Sequence, residues 1–196
     1  MIKTLILATH NKGKIKEFEM LLQGLVGEIK SAADLRLIEP AETGTTFLEN
    51  ATIKALAAMR VSGLPALSDD SGISITALNG EPGVYSADWA GNPRDFTKAM
   101  ALVKEKMGDA KDRSAYFTSV LVLAYPDGRV MHFEGRVDGT MIWPPRGTEG
   151  FGYDPMFQPD GYDKTFGQMS DLEKKVISHR AKATEKFINY LKGEKA

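Results

Sequence analysis

The chain contains no cysteine, which excludes disulfide bonds, zinc–thiolate sites and a cysteine nucleophile. Histidine is scarce as well, and His10, His132 and His179 do not have the spacing of zinc ligands. Positive charge is not in excess, because 25 Lys and Arg residues face 26 Asp and Glu residues. This balance argues against a protein that coats nucleic acid, so any affinity for phosphate must be local.

Long hydrophobic runs are also missing. The first apolar stretch, residues 5–8, is far too short for a signal-peptide core or a membrane span. We therefore expect a soluble protein with no membrane partner, in a reducing compartment such as the cytoplasm. A length of 196 residues predicts one domain spanning residues 1–196.

Hydrophobic periodicity predicts an α/β protein with a mixed β-sheet flanked by helices. A continuous apolar run predicts a buried strand over residues 2–8, and helical spacing begins at Lys14. Capping-box pairs start two further helices, at Thr46 and at Ser170. We further expect two short extended segments in 64–78 separated by an acidic turn, a helix over 96–107 and a long hairpin over 114–141. In the last helical segment, Val176 and residues 183, 187 and 191 are expected to face the protein core.

The stretch "ATHNKGK" joins the first strand to the first helix. Such a turn points unpaired backbone N–H groups at an anion, and the helix dipole adds partial positive charge. Lys14 can reach a phosphate oxygen, while Thr9 and Asn11 supply uncharged donors. The glycine and Ser/Thr positions of a P-loop are missing, so an ordinary surface turn is an equally good interpretation of this stretch alone.

Two adjacent carboxylates, Asp69 and Asp70, precede Ser71 and Gly72. If partly enclosed, they need a cation or one of them must take up a proton, and magnesium prefers carboxylate oxygens completed by water and substrate phosphates. One carboxylate can hold the metal while the other accepts a proton from water, and Glu42 can supply a further ligand. A solvated turn is the competing interpretation.

Two later segments are suited to the rest of a nucleotide. In "GFGYDPMF", Phe151, Tyr153 and Phe157 offer stacking surfaces for a base, and Asp154 can accept hydrogen bonds from ring N–H groups. In "EKKVISHRAKA", Lys174, His179 and Arg180 lie near an expected helix break, where they can meet an anionic or carbonyl-rich ligand. A loop anchored by its aromatic residues and a solvated basic helix face are the alternatives.

In this order, the segments "THNKGK", "PAETGTTFLENA", "SDDSG", "PGVYSA", "GFGYDPMFQPDG" and "ISHRAKA" resemble the inosine-triphosphatase family, also called XTP/dITP diphosphatases. The resemblance covers nearly the whole chain. It implies an elongated two-lobed α/β fold with a central mixed sheet and a cleft between the lobes, and a homodimer. It also implies hydrolysis of ITP, dITP and XTP to the monophosphate and pyrophosphate, with Mg2+ as cofactor, in sanitation of the nucleotide pool.

The resemblance further implies a role for each matching residue. Asp70 is the expected proton acceptor and, with Glu42, a metal ligand, and Ser71 contacts substrate. The expected triphosphate loop consists of Thr9, His10, Asn11, Lys12, Gly13 and Lys14, of which His10 and Lys12 stand at variable positions. The expected base pocket consists of Phe151, Gly152, Tyr153, Asp154, Lys174, His179 and Arg180. The resemblance leaves the role of Asp69 open.

Three other functions remain. A nucleotide-sensing module without turnover has no use for the Asp70 base, and a structural scaffold explains the concentration of glycines, carboxylates and cations in loops least well. The related septum-associated pyrophosphatases, which favour ordinary or modified pyrimidine nucleotides, are disfavoured by the "SHR" and "FGYD" segments.

Overall fold

The structure is a computed structural model that describes residues 2–193 except the side chain of Lys12. Six strands form one mixed sheet in the order β2-β1-β3-β4-β5-β6. The strands are β1 (Ile2–Leu7), β2 (Val26–Ser31), β3 (Ala66–Ile75), β4 (Ser114–Ala124), β5 (Val130–Met141) and β6 (Phe157–Pro159). The helices are α1 (Lys12–Leu21), α2 (Phe47–Ser62), α3 (Phe96–Met107), α4 (Asp171–Ile177) and α5 (His179–Lys192). The expected α/β fold with a mixed sheet is confirmed.

Strand β1 places the first motif next to the acidic pair. It runs parallel to both β2 and β3, and Leu7 lies opposite Leu67. The parallel pairing continues one step further, since the Ala8 amide donates to the Leu67 carbonyl at 2.8 Å. Strand β3 begins beside the end of β1 and continues past it, so the residues after Leu7 leave the sheet next to the part of β3 that follows Leu67.

Helix boundaries agree with the capping signals. Thr46 and Glu49 form a capping box at the start of α2, and Gly63 ends that helix in the left-handed conformation. Ser170 and Glu173 cap α4 in the same way. Ser178 is extended, with φ −67° and ψ 156°, and separates α4 from α5.

Two expectations about the elements are wrong. The segment containing Asp69 and Asp70 is not a turn between two short strands but the middle of the continuous strand β3. Val176 is 79% exposed rather than buried, because the break at Ser178 changes the helical phase between α4 and α5, whereas Phe187 is fully buried as expected. Among the described residues, no helix combines the length and apolar character that a membrane crossing requires.

The chain divides into two compact units. The first consists of residues 1–70, 120–134 and 183–196, and the second of residues 71–119 and 135–182. Leu5, Leu22, Leu121 and Phe187 are among the fully buried side chains of the first unit, and each contributes about 1.5–3 kcal/mol through removal of apolar surface from water. The core of the second unit is built around Phe157 and Phe166, whose ring centroids are 5.2 Å apart.

Candidate functional site

The first unit carries a cluster of charged side chains where β1 ends beside the middle of β3. The Lys14 ammonium donates to Asp69 Oδ2 at 2.5 Å, and only 5% of the Asp69 side chain is exposed. A buried carboxylate without a nearby cation is costly, so this ion pair determines where Lys14 lies. Asp69, whose role the sequence left open, therefore holds Lys14 at the edge of the sheet.

The turn before α1 differs from the expected cradle of free amides. Asn11 caps the helix, and its Oδ1 accepts from the Gly13 and Lys14 amides at 2.9 and 3.2 Å. The backbone amide of Asn11 in turn donates to Thr9 Oγ1 at 3.2 Å. The expectation that these amides are unpaired is therefore wrong, because Asn11 satisfies them itself. What the turn offers an anion is the helix dipole and the Lys14 ammonium.

His10 and Lys12 flank Asn11 in this turn, and only the side chain of His10 is described. His10 is exposed, and its Nε2 lies 3.0 Å from the Leu37 carbonyl, so that nitrogen carries a proton and donates. His10 thus attaches the turn to the loop that leads to Glu42. Lys12 is the first residue of α1, but its side chain lies outside the described part of the chain.

A second cation, Lys54, stands between the two predicted metal ligands. Its Nζ lies 2.7 Å from Glu42 Oε1 and 3.5 Å from Asp70 Oδ1. Burial alone would lower the pKa of Lys54, but the charge of Asp70 and the hydrogen bond and charge of Glu42 outweigh burial and raise it. Lys54 is therefore a protonated ammonium at neutral pH.

Helix α2 explains how Lys54 reaches this position. Its buried face comprises Asn50, Ala51, Lys54, Ala55 and Ala58, so Lys54 projects from the apolar side of the helix. Asn50 on the same face accepts from the Gly44 amide at 2.8 Å and fixes the loop that carries Glu42. Sequence reasoning missed Lys54, although a lysine at a core position of an amphipathic helix is the signal that identifies it.

The carboxylate pair suits a hard divalent cation. Glu42 and Asp70 oxygens already converge on one cationic nitrogen. Counting Asp69 and Lys14, the described cluster has three carboxylates for two ammonium groups and keeps one formal negative charge. No group of three or more His, Cys, Asp or Glu side chains within the described residues could hold a metal by itself. Magnesium, which keeps several waters and takes phosphate ligands, needs no such group.

The second unit contains the aromatic and basic residues. Phe151 is 65% exposed, as a stacking surface requires, and the Arg180 guanidinium lies over its ring at 5.5 Å. Tyr153 is different, because it is only 2% exposed and its hydroxyl donates to the Ser86 carbonyl at 2.9 Å. The expectation that Tyr153 and Phe157 offer stacking surfaces is therefore wrong, because both rings belong to the core.

Asp154 is a buried carboxylate behind the exposed ring. It accepts from the Phe151 amide at 3.2 Å and lies 3.5 Å from the Lys174 ammonium. Desolvation raises the pKa of Asp154, against the opposing effects of Lys174 and the Phe151 amide. Gly150 is required beside this pair, since its φ is +78° and a Cβ there would overlap both Asp154 Oδ2 and Lys174 Nζ. Gly152 has a positive φ of 67° in the same turn.

The two residues that begin α5 are held in different ways. His179 is buried and stacks on Phe117, with ring centroids 4.8 Å apart and an interplanar angle of 12°. Arg180 is partly buried, and its Nε makes no hydrogen bond to any residue that the structure describes. The guanidinium therefore has an unused donor beside the exposed face of Phe151.

Ser71, half-buried in β3, directly follows Asp70.

Comparisons with known proteins identify the family of this chain. The model of the Ham1 family matches residues 5–190. The dITP/XTP pyrophosphatase of Agrobacterium fabrum is 54% identical, over 95% of this chain and 94% of the relative. The dITP/XTP pyrophosphatase of Rhizobium meliloti is 56% identical, over 94% of both chains. The solved structure of the Staphylococcus aureus Ham1 protein superposes with a TM-score of 0.93 at 36% identity and covers 98% of this chain and all of that one.

Proposed function

The chain belongs to the Ham1 family, and from this membership we propose that it hydrolyses dITP, XTP and ITP to the nucleoside monophosphate and pyrophosphate. Such an enzyme removes deaminated purine nucleotides from the pool available for nucleic-acid synthesis. The observation that supports this most directly is the convergence of Glu42 and Asp70 on one cation position, beside the Lys14–Asp69 pair.

We propose that Glu42 and Asp70 would hold a divalent cation, Mg2+ in particular. When bound, Mg2+ would neutralise phosphate charge and polarise the phosphoanhydride. Asp70 accepts the proton of the attacking water, and Lys14 and Lys54 offset charge that develops on the phosphate oxygens. Water adds at phosphorus, the bond between the α- and β-phosphates breaks, and pyrophosphate leaves.

For the base we propose that Phe151 stacks on the purine ring while Arg180 donates to its 6-oxo group. Adenine carries an amino donor at that position, so ATP would leave the Arg180 donor facing another donor. An unpaired buried polar group costs about 1–3 kcal/mol, so two or three such contacts can give discrimination of about hundredfold or more. Asp154, whose carboxylate accepts hydrogen bonds, would pair with the protonated N1 of a 6-oxo purine.

Three wider properties are proposals, and the family resemblance supports the first. The first is a homodimer, which size-exclusion chromatography with light scattering would detect as twice the 21.5 kDa chain mass. The second is a cytoplasmic location, where the nucleotide pool that supplies the proposed substrate is found. The single domain of 196 residues, built from two lobes, also stays a proposal.

Product analysis by anion exchange tests the function. Purified protein with Mg2+ is incubated with ITP, XTP, ATP, GTP and TTP in parallel, and Asp70→Asn is the variant. We expect pyrophosphate chiefly from ITP and XTP and its loss in the variant. Orthophosphate from all five nucleotides would indicate a general phosphatase, and the absence of turnover would indicate a binding module.

A further inference from the structure

Lys54 occupies a position that a divalent cation would otherwise take. Its ammonium bridges Glu42 Oε1 at 2.7 Å and Asp70 Oδ1 at 3.5 Å. Only 9% of the Lys54 side chain is exposed, and 13% of that of Asp70. The Lys54–Asp70 contact is therefore enclosed and weakly screened by solvent, whereas 38% of the Glu42 side chain is exposed and its contact is screened more.

Two cations cannot share these oxygens at low cost. A divalent ion bound by Glu42 and Asp70 lies within a few ångströms of the Lys54 nitrogen, and repulsion between like charges at that range is strong in a partly buried site. Either the ammonium leaves the carboxylates or the metal is excluded. Lys54 has a flexible four-carbon stem, so it can move to another acceptor if one is supplied.

We propose that Lys54 is an internal cation that competes with the divalent metal for Glu42 and Asp70 until a nucleotide supplies phosphate oxygens for its ammonium. This inference rests on the proposed function for the identity of metal and substrate. In the nucleotide-free protein Lys54 offsets one of the two negative charges of Glu42 and Asp70 and keeps the carboxylates convergent. When a triphosphate binds, Lys54 turns to a phosphate oxygen and releases both carboxylates.

Metal and nucleotide affinities are then coupled through Lys54. Because the triphosphate removes the competing ammonium, nucleotide tightens metal binding, and metal tightens nucleotide binding by the same factor. The free enzyme holds metal weakly, so the metal arrives with its nucleotide. Removal of the Lys54 charge abolishes the competition and leaves only the direct bonds between metal and phosphate to couple the two affinities.

Calorimetric titration of Mg2+ into the nucleotide-free protein tests this inference without any turnover. We expect Lys54→Met to bind Mg2+ at least tenfold more tightly than the wild type, and Lys54→Arg, which keeps the charge, to bind as weakly as the wild type. Lys106→Met is the matched control, because Lys106 pairs with the exposed Glu81 at 3.7 Å and belongs to the second unit. Equal or weaker binding by Lys54→Met would overturn the inference.

A second variant covers the case in which Lys54→Met does not fold. Lys54→Gln removes the charge but keeps a hydrogen-bond donor for the carboxylates, and the same tightening is expected. Turnover of dITP by the wild type is measured on the same preparation. Tight Mg2+ binding by the variants without wild-type turnover would refute the proposed function alone, whereas turnover without tightening would refute the competition alone.

Discussion

The ion pair between Lys14 and Asp69 allows a quantitative test of how the proposed phosphate site is built. In Lys14→Met the Asp69 carboxylate, 5% exposed, loses the cation 2.5 Å away. In Asp69→Asn the Lys14 ammonium loses its carboxylate, but 25% of the Lys14 side chain is exposed and can turn toward water. The two single variants should therefore lose different amounts of unfolding free energy, although they break the same pair.

The magnitude follows from the difference in burial. Removal of one partner from a fully buried ion pair costs about 3–5 kcal/mol. Because Lys14 is partly solvated, we expect about 2 kcal/mol for Lys14→Met and about 1 kcal/mol for Asp69→Asn. For a protein of this length each kcal/mol lowers Tm by about 2–4 °C, so the expected losses are about 4–8 °C and about 2–4 °C.

Thermal unfolding of both single variants and of Lys14→Met/Asp69→Asn measures the pair directly. The double variant should be more stable than the sum of the two single losses predicts, by about 1 kcal/mol or more, because it removes both charges of the pair together. Simple additivity of the two losses, or a larger loss in Asp69→Asn, would refute this account. Turnover should fall in all three proteins if Lys14 contacts the triphosphate.

Three further predictions concern the second unit. Because burial raises the pKa of Asp154, stability is lost as the pH rises through that pKa and the carboxylate ionises; the Tm of Asp154→Asn relative to the wild type should therefore increase from pH 4 to pH 8 in unfolding scans, and a constant difference would refute this. Gly150→Ala forces a side chain into the Asp154–Lys174 pair at a position with positive φ, so it should lower Tm by several degrees and raise KM for ITP. An unchanged KM would refute the proposed role of that pair in substrate binding. Tyr153→Phe removes the donor to the Ser86 carbonyl and should cost about 1 kcal/mol, or about 2–4 °C in Tm by calorimetry; an unchanged Tm would show that this bond adds no stability.

Much of the fold could be predicted from local patterns. The capping boxes at Thr46 and Ser170, the glycine at position 63 and the long hairpin are encoded by neighbouring residues, and the structure contains all of them. Strand β2 (Val26–Ser31) was missed, because it is short and only Val26 and Ser31 are buried in it. The prediction for Val176 was wrong for a related reason, since one extended residue, Ser178, resets a helical periodicity.

The proposed site was predicted as a set of residues but not as a set of contacts. Asp70, Glu42 and Lys14 were identified from their chemistry and from the family resemblance. Their partners depend on other parts of the chain. Lys14 meets Asp69 because β1 runs parallel to β3 and ends beside the part of β3 that carries Asp69. Tyr153 proved to be a buried donor rather than a stacking ring.

The sequence by itself determined the helices, most strands and the family, since those depend on periodicity, caps and motifs that neighbouring residues carry. Only the tertiary structure decided which charges compensate one another. Asn11 caps the amides that were expected to be free, and Lys54 lies between Glu42 and Asp70. A charge is neutralised by whatever the fold places within a few ångströms of it, and residues 42, 54 and 70 become neighbours only when helix, loop and strand meet.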